Sequence, residues 1–124
     1  MSSVRSFEEL KCWQQARELV RIVYGVSGEG KHAKDFSTRD QIRRAALSVM
    51  NNIAEGFGRE TNREFIRFLD IAQSSAMEVK SMGYVLIDME YLSAETGTSI
   101  QNKAEETKSL TRGLMRYLKS NNKA

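Results

Sequence analysis

The 124-residue sequence contains no proline, only one cysteine, Cys12, and only one histidine, His32. Proline is frequent in the turns of β-sandwiches and barrels and damaging inside long helices, so its absence favours a helical protein. A single cysteine excludes an internal disulfide bond. A single histidine excludes a metal site built on two histidines of one chain. We therefore expect no metal, no cofactor and no catalytic residues.

Long apolar segments are also missing. The longest apolar runs span only a few residues, which is too short to cross a bilayer, and residues 1–5 lack the apolar core of a signal peptide. Helical spacing places Cys12 beside Leu19 on an apolar flank, where we expect a buried structural thiol. These features predict a cytoplasmic protein with no membrane partner.

Composition and charge fit a globular protein with a basic surface. Hydrophobic residues make up 40% and charged residues 28% of the chain, and this length supports a single domain, residues 1–124. The net charge of +3 permits nucleic-acid binding without requiring it. Beyond residue 107 all charged side chains are basic: Lys108, Arg112, Arg116, Lys119 and Lys123.

Apolar residues recur at intervals of three and four in four segments. This period predicts an all-α fold, an antiparallel up-down four-helix bundle that forms a single domain. The predicted helices cover approximately residues 6–24, 38–56, 61–92 and 94–119. Ser6 with Glu9, and Thr61 with Glu64, match the capping box that begins a helix. The last helix begins either at a cap formed by Ser93 or more than one turn later.

The third predicted helix has a regular apolar stripe. Its members alternate at intervals of three and four residues: Phe65, Phe68, Ala72, Ser75, Val79, Met82, Leu86 and Met89. Trp13 holds a similar place on the first helix. Truncating Trp13 or Phe68 is therefore expected to destabilise the bundle.

The second predicted helix has more apolar surface than one core requires. Beside the stripe that runs from Ile42 to Ile53, the side chains of Leu47, Met50 and Ala54 widen the apolar arc on one flank. An arc of this width predicts a second buried surface. We interpret Leu47, Met50 and Ala54 as an interface between copies of the chain.

Two sets of basic residues repeat at helical spacing. Arg59, Arg63 and Arg67 share one face near the turn between the second and third helices. The second set follows the last helix: Lys108, Arg112, Arg116 and Lys119. Arginine forks match phosphate oxygens, so both sets are candidate nucleic-acid-binding residues. The alternatives are solvated or ion-paired side chains in the first set, and charges that complement the helix dipole in the second.

The segment from Gly25 to Lys31 matches the spacing of a phosphate-binding loop, G-x-x-x-x-G-K. Such a loop next needs serine or threonine for magnesium, and this position holds His32. The loop should also follow a β-strand, whereas this one follows a predicted helix. We interpret the segment as a flexible connector that runs to about Ser37, with a nucleotide-binding enzyme as a remote alternative.

The stretch from Gln41 to Arg59 resembles the four-helix-bundle proteins encoded in intervening sequences of bacterial 23S ribosomal RNA genes. The block Asn52-Ile53-Ala54-Glu55-Gly56 is its most specific part. That family is similar in turn to the accessory variability proteins of diversity-generating retroelements. Phe7-x-x-Leu10-x-x-Trp13 and Phe65-x-x-Phe68-Leu69 resemble the first and third helices of the family. Ser74, where the family usually has glycine, departs from its pattern.

The resemblance implies a ring-shaped homopentamer with a central channel, a role in nucleic-acid binding and no established activity. Together with the basic residues, it predicts a non-enzymatic, oligomeric bundle that binds RNA or DNA. The alternative is a purely structural assembly, or an adaptor for a protein partner, whose basic residues only keep it soluble.

Overall fold

The structure, a computed structural model, describes residues 4–121, and every regular element in that range is helical. A 3-10 turn, Phe7–Glu9, precedes five α-helices: α1 (Lys11–Ser27), α2 (Gly30–Lys34), α3 (Phe36–Phe57), α4 (Asn62–Asp88) and α5 (Ala94–Ser120). Lys123 lies outside the described residues. The all-α class is confirmed.

The four long helices form the predicted antiparallel up-down bundle. α1 packs against α3 and α5, and α4 packs against the same two helices, so α1 and α4 lie diagonally opposite each other. Hydrogen bonds between α3 and α4 show their antiparallel course. Gln41 near the start of α3 donates to Glu78 in the second half of α4, and the hydroxyls of Ser48 and Ser75 lie 2.8 Å apart.

Buried side chains form two clusters along the bundle. Trp13, Ile53 and Leu69 belong to the first cluster, at the end where α4 begins. Leu19 and Leu86 belong to the second cluster, toward the other end. Each fully buried large side chain contributes about 1.5–3 kcal/mol relative to its exposed state. The packing of four amphipathic faces therefore dominates the stability of the helices.

The core face of α4 differs in part from the predicted stripe. Four members of the stripe are buried as predicted: Phe65, Ala72, Val79 and Leu86. The positions between them are filled from the opposite flank, by Leu69, Ala76 and Gly83. Their predicted counterparts are partly buried or exposed: Phe68, Ser75, Met82 and Met89. At Gly83 this face is small because α5 approaches closely, and a Cβ there would stand 2.7 Å from Cγ of Gln101.

The first helix begins at Lys11 and not near Ser6. The side chain of Ser6 makes no capping hydrogen bond, so the predicted capping box with Glu9 is wrong. Leu10 takes an extended conformation and separates the 3-10 turn from α1. This break buries Leu10 and packs the ring of Phe7 edge-on against Trp13, with 5.2 Å between the ring centroids.

The segment after α1 is a short helix and not a flexible connector. α1 continues to Ser27, and α2 holds His32, of which only 1% is exposed. The His32 ring stacks on Tyr91, with centroids 5.2 Å apart. Tyr91 Oη donates to Asp35, which caps α3 by accepting from the backbone N–H of Thr38 at 3.2 Å. The glycine and lysine pattern therefore forms no phosphate-binding loop.

Side-chain caps begin both of the later long helices. Thr61 caps α4 by accepting from the N–H of Glu64 at 3.1 Å, as the sequence predicts. Ser93 caps α5 by accepting from the N–H of Thr96 at 3.1 Å, so the earlier of the two predicted starts is the observed one. α4 ends before the predicted boundary at residue 92, because Glu90 takes a left-handed conformation with φ 61°.

Candidate nucleic-acid interface

The turn between α3 and α4 depends on a glycine that contacts aromatic side chains. Gly56 is buried, and a Cβ there would stand 2.7 Å from the Cβ of Phe68 and 2.9 Å from the ring of Phe65. Glycine therefore allows the end of α3 to lie very close to the start of α4. The chain reverses between Phe57 and Asn62, and Arg59 is placed beside the first turns of α4.

Basic side chains from two helices meet at this end of the bundle. Because α4 and α5 are antiparallel neighbours, the first turns of α4 lie beside the last turn of α5. Arg63 and Arg67 from α4 and Lys119 from α5 are exposed and line one surface depression of about 380 Å³. We call it the α4–α5 depression. Its other lining residues are Ile66, Asp70 and Met115.

A second depression of about 310 Å³ adjoins the first, and Arg67 lines both. We call it the Phe68 depression. Its lining residues are Arg59, Glu64, Arg67, Phe68 and Ile71. The guanidinium of Arg59 lies over the ring of Phe68, 4.6 Å from the centroid, and its Nη2 is 3.4 Å from Oε1 of Glu55. The ring and the carboxylate both favour this position of the Arg59 guanidinium.

Each depression also contains a carboxylate. Asp70 in the α4–α5 depression accepts a hydrogen bond from Nε2 of Gln73 at 3.0 Å, and Glu64 lines the Phe68 depression. The surface therefore combines cations, apolar side chains and hydrogen-bond acceptors at short range. This surface therefore differs from a uniformly basic patch, which attracts any polyanion equally.

The earlier basic residues of α5 are arranged differently. Nζ of Lys108 lies 3.0 Å from Oε2 of Glu105, and Nζ of Lys80 lies 2.8 Å from Oε1 of the same carboxylate. Hydrogen bonds from Lys80 and then Lys108 hold the pKa of Glu105 below its usual value. Lys108 is therefore partly neutralised. Arg112 and Arg116 are exposed but line neither depression.

The predicted oligomer interface is partly covered within the chain itself. Met50 and Ala54 are partly buried and pack against the first core cluster. Leu47 is also partly buried but belongs to neither cluster. Tyr84 is 59% exposed, which its sequence does not reveal, because a tyrosine beside an apolar stripe can be either buried or exposed. Met89, placed on the core stripe by its spacing, is 54% exposed.

Cys12 and the acidic residues are the remaining candidates for chemistry. Burial raises the pKa of the Cys12 thiol to about 11, so the thiol is protonated and a weak nucleophile at neutral pH.

Among residues 4–121, no three His, Cys, Asp or Glu side chains are grouped so that they could hold a metal ion. In the same range no helix has the length and apolar character needed to span a membrane.

The chain is similar to known proteins over most of its length. The profile of the 23S rRNA-intervening sequence protein family matches residues 8–113. A crystal structure of a protein of unknown function from the S23 ribosomal protein family, from Bacteroides thetaiotaomicron VPI-5482, shares 30% sequence identity with a TM-score of 0.75. The alignment covers 84% of this chain and 97% of that chain. No curated protein matches the chain. The family match includes Arg59, Arg63 and Arg67 and ends before Arg116 and Lys119.

Proposed function

Since the chain belongs to the 23S rRNA-intervening sequence protein family, we propose that it is a non-enzymatic, oligomeric helical bundle that binds RNA or DNA. Binding takes place through the basic residues at the end of the bundle where α4 begins. The protein assembles as a homopentamer and acts in the cytoplasm. The family resemblance and the apolar flank of α3 at Leu47 support the assembly, and the single buried thiol of Cys12 supports the compartment.

One observation carries the binding proposal: Arg63, Arg67 and Lys119 line a single depression. These residues come from two separate sequence patterns, and only the antiparallel packing of α4 and α5 brings them together. Three exposed cations beside one carboxylate, Asp70, repel each other more than they are neutralised. A phosphate at the edge of the depression offsets that repulsion and accepts hydrogen bonds from the arginine forks.

The helix dipole does not account for this arrangement. Lys119 lies in the last turn of α5, where a cation is favourable. Arg63 lies in the first turn of α4, where the helix already carries a partial positive charge and a further cation is unfavourable. The position of Arg63 in this first turn is better explained by an anionic ligand than by stabilisation of the helix.

The test is a titration of labelled RNA and DNA at low and at moderate salt. The parent chain is compared with the triple variant Arg63→Gln/Arg67→Gln/Lys119→Gln. Each lost phosphate contact should flatten the log–log salt dependence by about 0.9 on duplex and about 0.7 on single strands. The variant should weaken binding to all sequences alike, because phosphate contacts carry no sequence information.

A matched control removes the same charge elsewhere. Arg21, Lys31 and Lys34 are exposed and lie toward the opposite end of the bundle, so the variant Arg21→Gln/Lys31→Gln/Lys34→Gln loses three positive charges far from the two depressions. It should retain most of the binding of the parent. Equal losses in the two variants would show that only net charge matters. Neither should melt much below the parent, because exposed charges contribute little to stability.

A protein adaptor is the second candidate, and the exposed apolar side chains Tyr84 and Met89 on α4 favour it. This function predicts no nucleic-acid binding even at low salt, where attraction to phosphates is strongest. It also predicts a protein partner whose binding is lost in a Tyr84→Ala/Met89→Ala variant.

A further inference from the structure

We infer that the two depressions bind consecutive unpaired nucleotides of a single-stranded nucleic acid, with Arg67 on the phosphate between them. This rests on the proposed nucleic-acid binding and specifies which form of nucleic acid is bound. Arg67 lines both depressions, and each depression holds an apolar surface, a carboxylate and a further cation. The same set of groups thus occurs twice, on either side of one arginine.

The carboxylates favour bases over phosphates inside the depressions. A phosphate placed beside Asp70 or Glu64 is repelled, whereas the amino and imino groups of an unpaired base are donors that a carboxylate accepts. In a duplex these Watson–Crick edges are already paired. Phosphates are therefore held at the edges of the depressions, with Arg67 on the phosphate at the edge that the two share, and the carboxylates disfavour close approach of a duplex backbone.

The apolar parts of the depressions suit a base that has left the stack. Ile66 and Met115 line the α4–α5 depression and are partly buried, so they give it an apolar surface. In the Phe68 depression, the Arg59 guanidinium lies over the ring of Phe68 and gives a plane on which a base can stack. Stacking on aromatic or guanidinium planes is available to unpaired bases and is tolerant of sequence.

The experiment compares labelled single strands of RNA and DNA with duplexes of the same sequence, in one low-salt buffer. Single strands should bind the parent at least about tenfold more tightly than duplexes, since one stacked base contributes that much. The preference should hold for RNA and DNA, because both contain the same phosphates and stacking faces.

The variant Arg59→Lys separates stacking from charge. It keeps the positive charge but loses the planar guanidinium, so it should weaken single-strand binding several-fold and duplex binding clearly less. The control variant Arg17→Lys makes the same change at an arginine that lies over Trp13, 5.7 Å from the ring centroid, on the diagonally opposite helix α1. It should leave both affinities unchanged. Circular dichroism melting checks that both variants are folded.

Three results would overturn the inference. Duplexes that bind the parent as tightly as single strands would reject it and leave the proposed function standing. Single-strand affinity that survives Arg59→Lys, or falls equally in Arg17→Lys, would reject the stacked base. Absence of binding to either form at low salt would reject the proposed function itself.

Discussion

Gly56 at the end of α3 touches the side chain of Phe68 on α4 so closely that a Cβ at Gly56 would stand 2.7 Å from the Cβ of Phe68. The same Phe68 carries the guanidinium of Arg59 on its ring, at 4.6 Å. A backbone contact in the core is therefore continuous with the candidate binding surface. The close turn fixes where Phe68 lies, and Phe68 fixes where Arg59 points.

Adding one methyl group at this contact should destabilise the chain. In Gly56→Ala the Cβ has no space, because Phe68 and Phe65 lie within 3 Å of it, and such overpacking costs about 1–3 kcal/mol. Gly25→Ala in α1 is the control, since nothing lies within 4 Å of a Cβ there and alanine should stabilise the helix by up to about 1 kcal/mol. Urea denaturation measures both. Equal stabilities of the two variants would contradict the close contact.

Truncating Trp13 should cost much more than truncating Phe68. Trp13 is 7% exposed and belongs to the first core cluster, so Trp13→Ala should lower the free energy of unfolding by about 3–5 kcal/mol. Phe68 is only partly buried, and Phe68→Ala should cost less while weakening the binding of single strands. Denaturant titrations of the two variants check the order. A larger loss of unfolding free energy for Phe68→Ala than for Trp13→Ala would support the core position that the sequence predicts for Phe68.

The register of α4 shows what sequence spacing can and cannot determine. Phe65, Ala72, Val79 and Leu86 repeat every seven residues, and that repeat alone places them in the core. Between Phe65 and Ala72, both Phe68 and Leu69 satisfy helical spacing, so spacing alone allows either of them to face the core. The larger side chains favour one flank, but the close packing of α5 at Gly83 selects the other. The distance between two helices depends on tertiary packing and cannot be predicted from the spacing of residues in the sequence.

The candidate binding surface was predictable only in pieces. Spacing groups Arg63 with Arg67 on one helix, and their place near a turn is correct. Spacing alone does not link them to Lys119. The predicted antiparallel bundle puts these residues at the same end, but only the structure shows that Lys119 lines the same depression. Lys108 fits the same spacing as Lys119 but forms an ion pair with Glu105. The depressions and their carboxylates become visible only in three dimensions.

His32 should make the chain less stable in mild acid. Burial lowers the pKa of His32, the carboxylate of Asp35 acts in the opposite direction, and Arg43 and Arg39 lower it further. The ring stacks on Tyr91, and neither of its nitrogens has a hydrogen-bond partner among residues 4–121. The folded chain therefore takes up a proton at lower pH than the unfolded chain, which does so near the ordinary pKa of 6.5.

The sign of the effect follows from this difference in protonation. Below about pH 6.5 the unfolded chain binds more protons than the folded chain, so the free energy of unfolding falls, by at most about 1.4 kcal/mol per pH unit. His32→Phe can keep the stacking on Tyr91 without titrating. Denaturant titrations at pH 7.5 and pH 5.5 should show a loss in the parent that is smaller in the variant. His32 is the only histidine. If the free energy of unfolding fell equally in the parent and in His32→Phe, groups other than histidine would cause the loss.

The assembly itself is open to a direct measurement. Leu47 is an apolar side chain on α3 that neither core cluster uses, so it is the member of the predicted interface that is best placed to contact another copy. Static light scattering at high micromolar concentration should give a mass near five times 14.1 kDa.

Leu47→Lys should reduce that mass with little change in helical content, because a buried charge at an interface has no partner there. Gln14→Lys, at an exposed position on α1, adds the same charge and should leave the mass unchanged. A parent chain that scatters as a 14.1 kDa monomer would refute the assembly. If Leu47→Lys kept the parent mass, the interface would have to be sought at other apolar surfaces, such as Tyr84 and Met89 on α4.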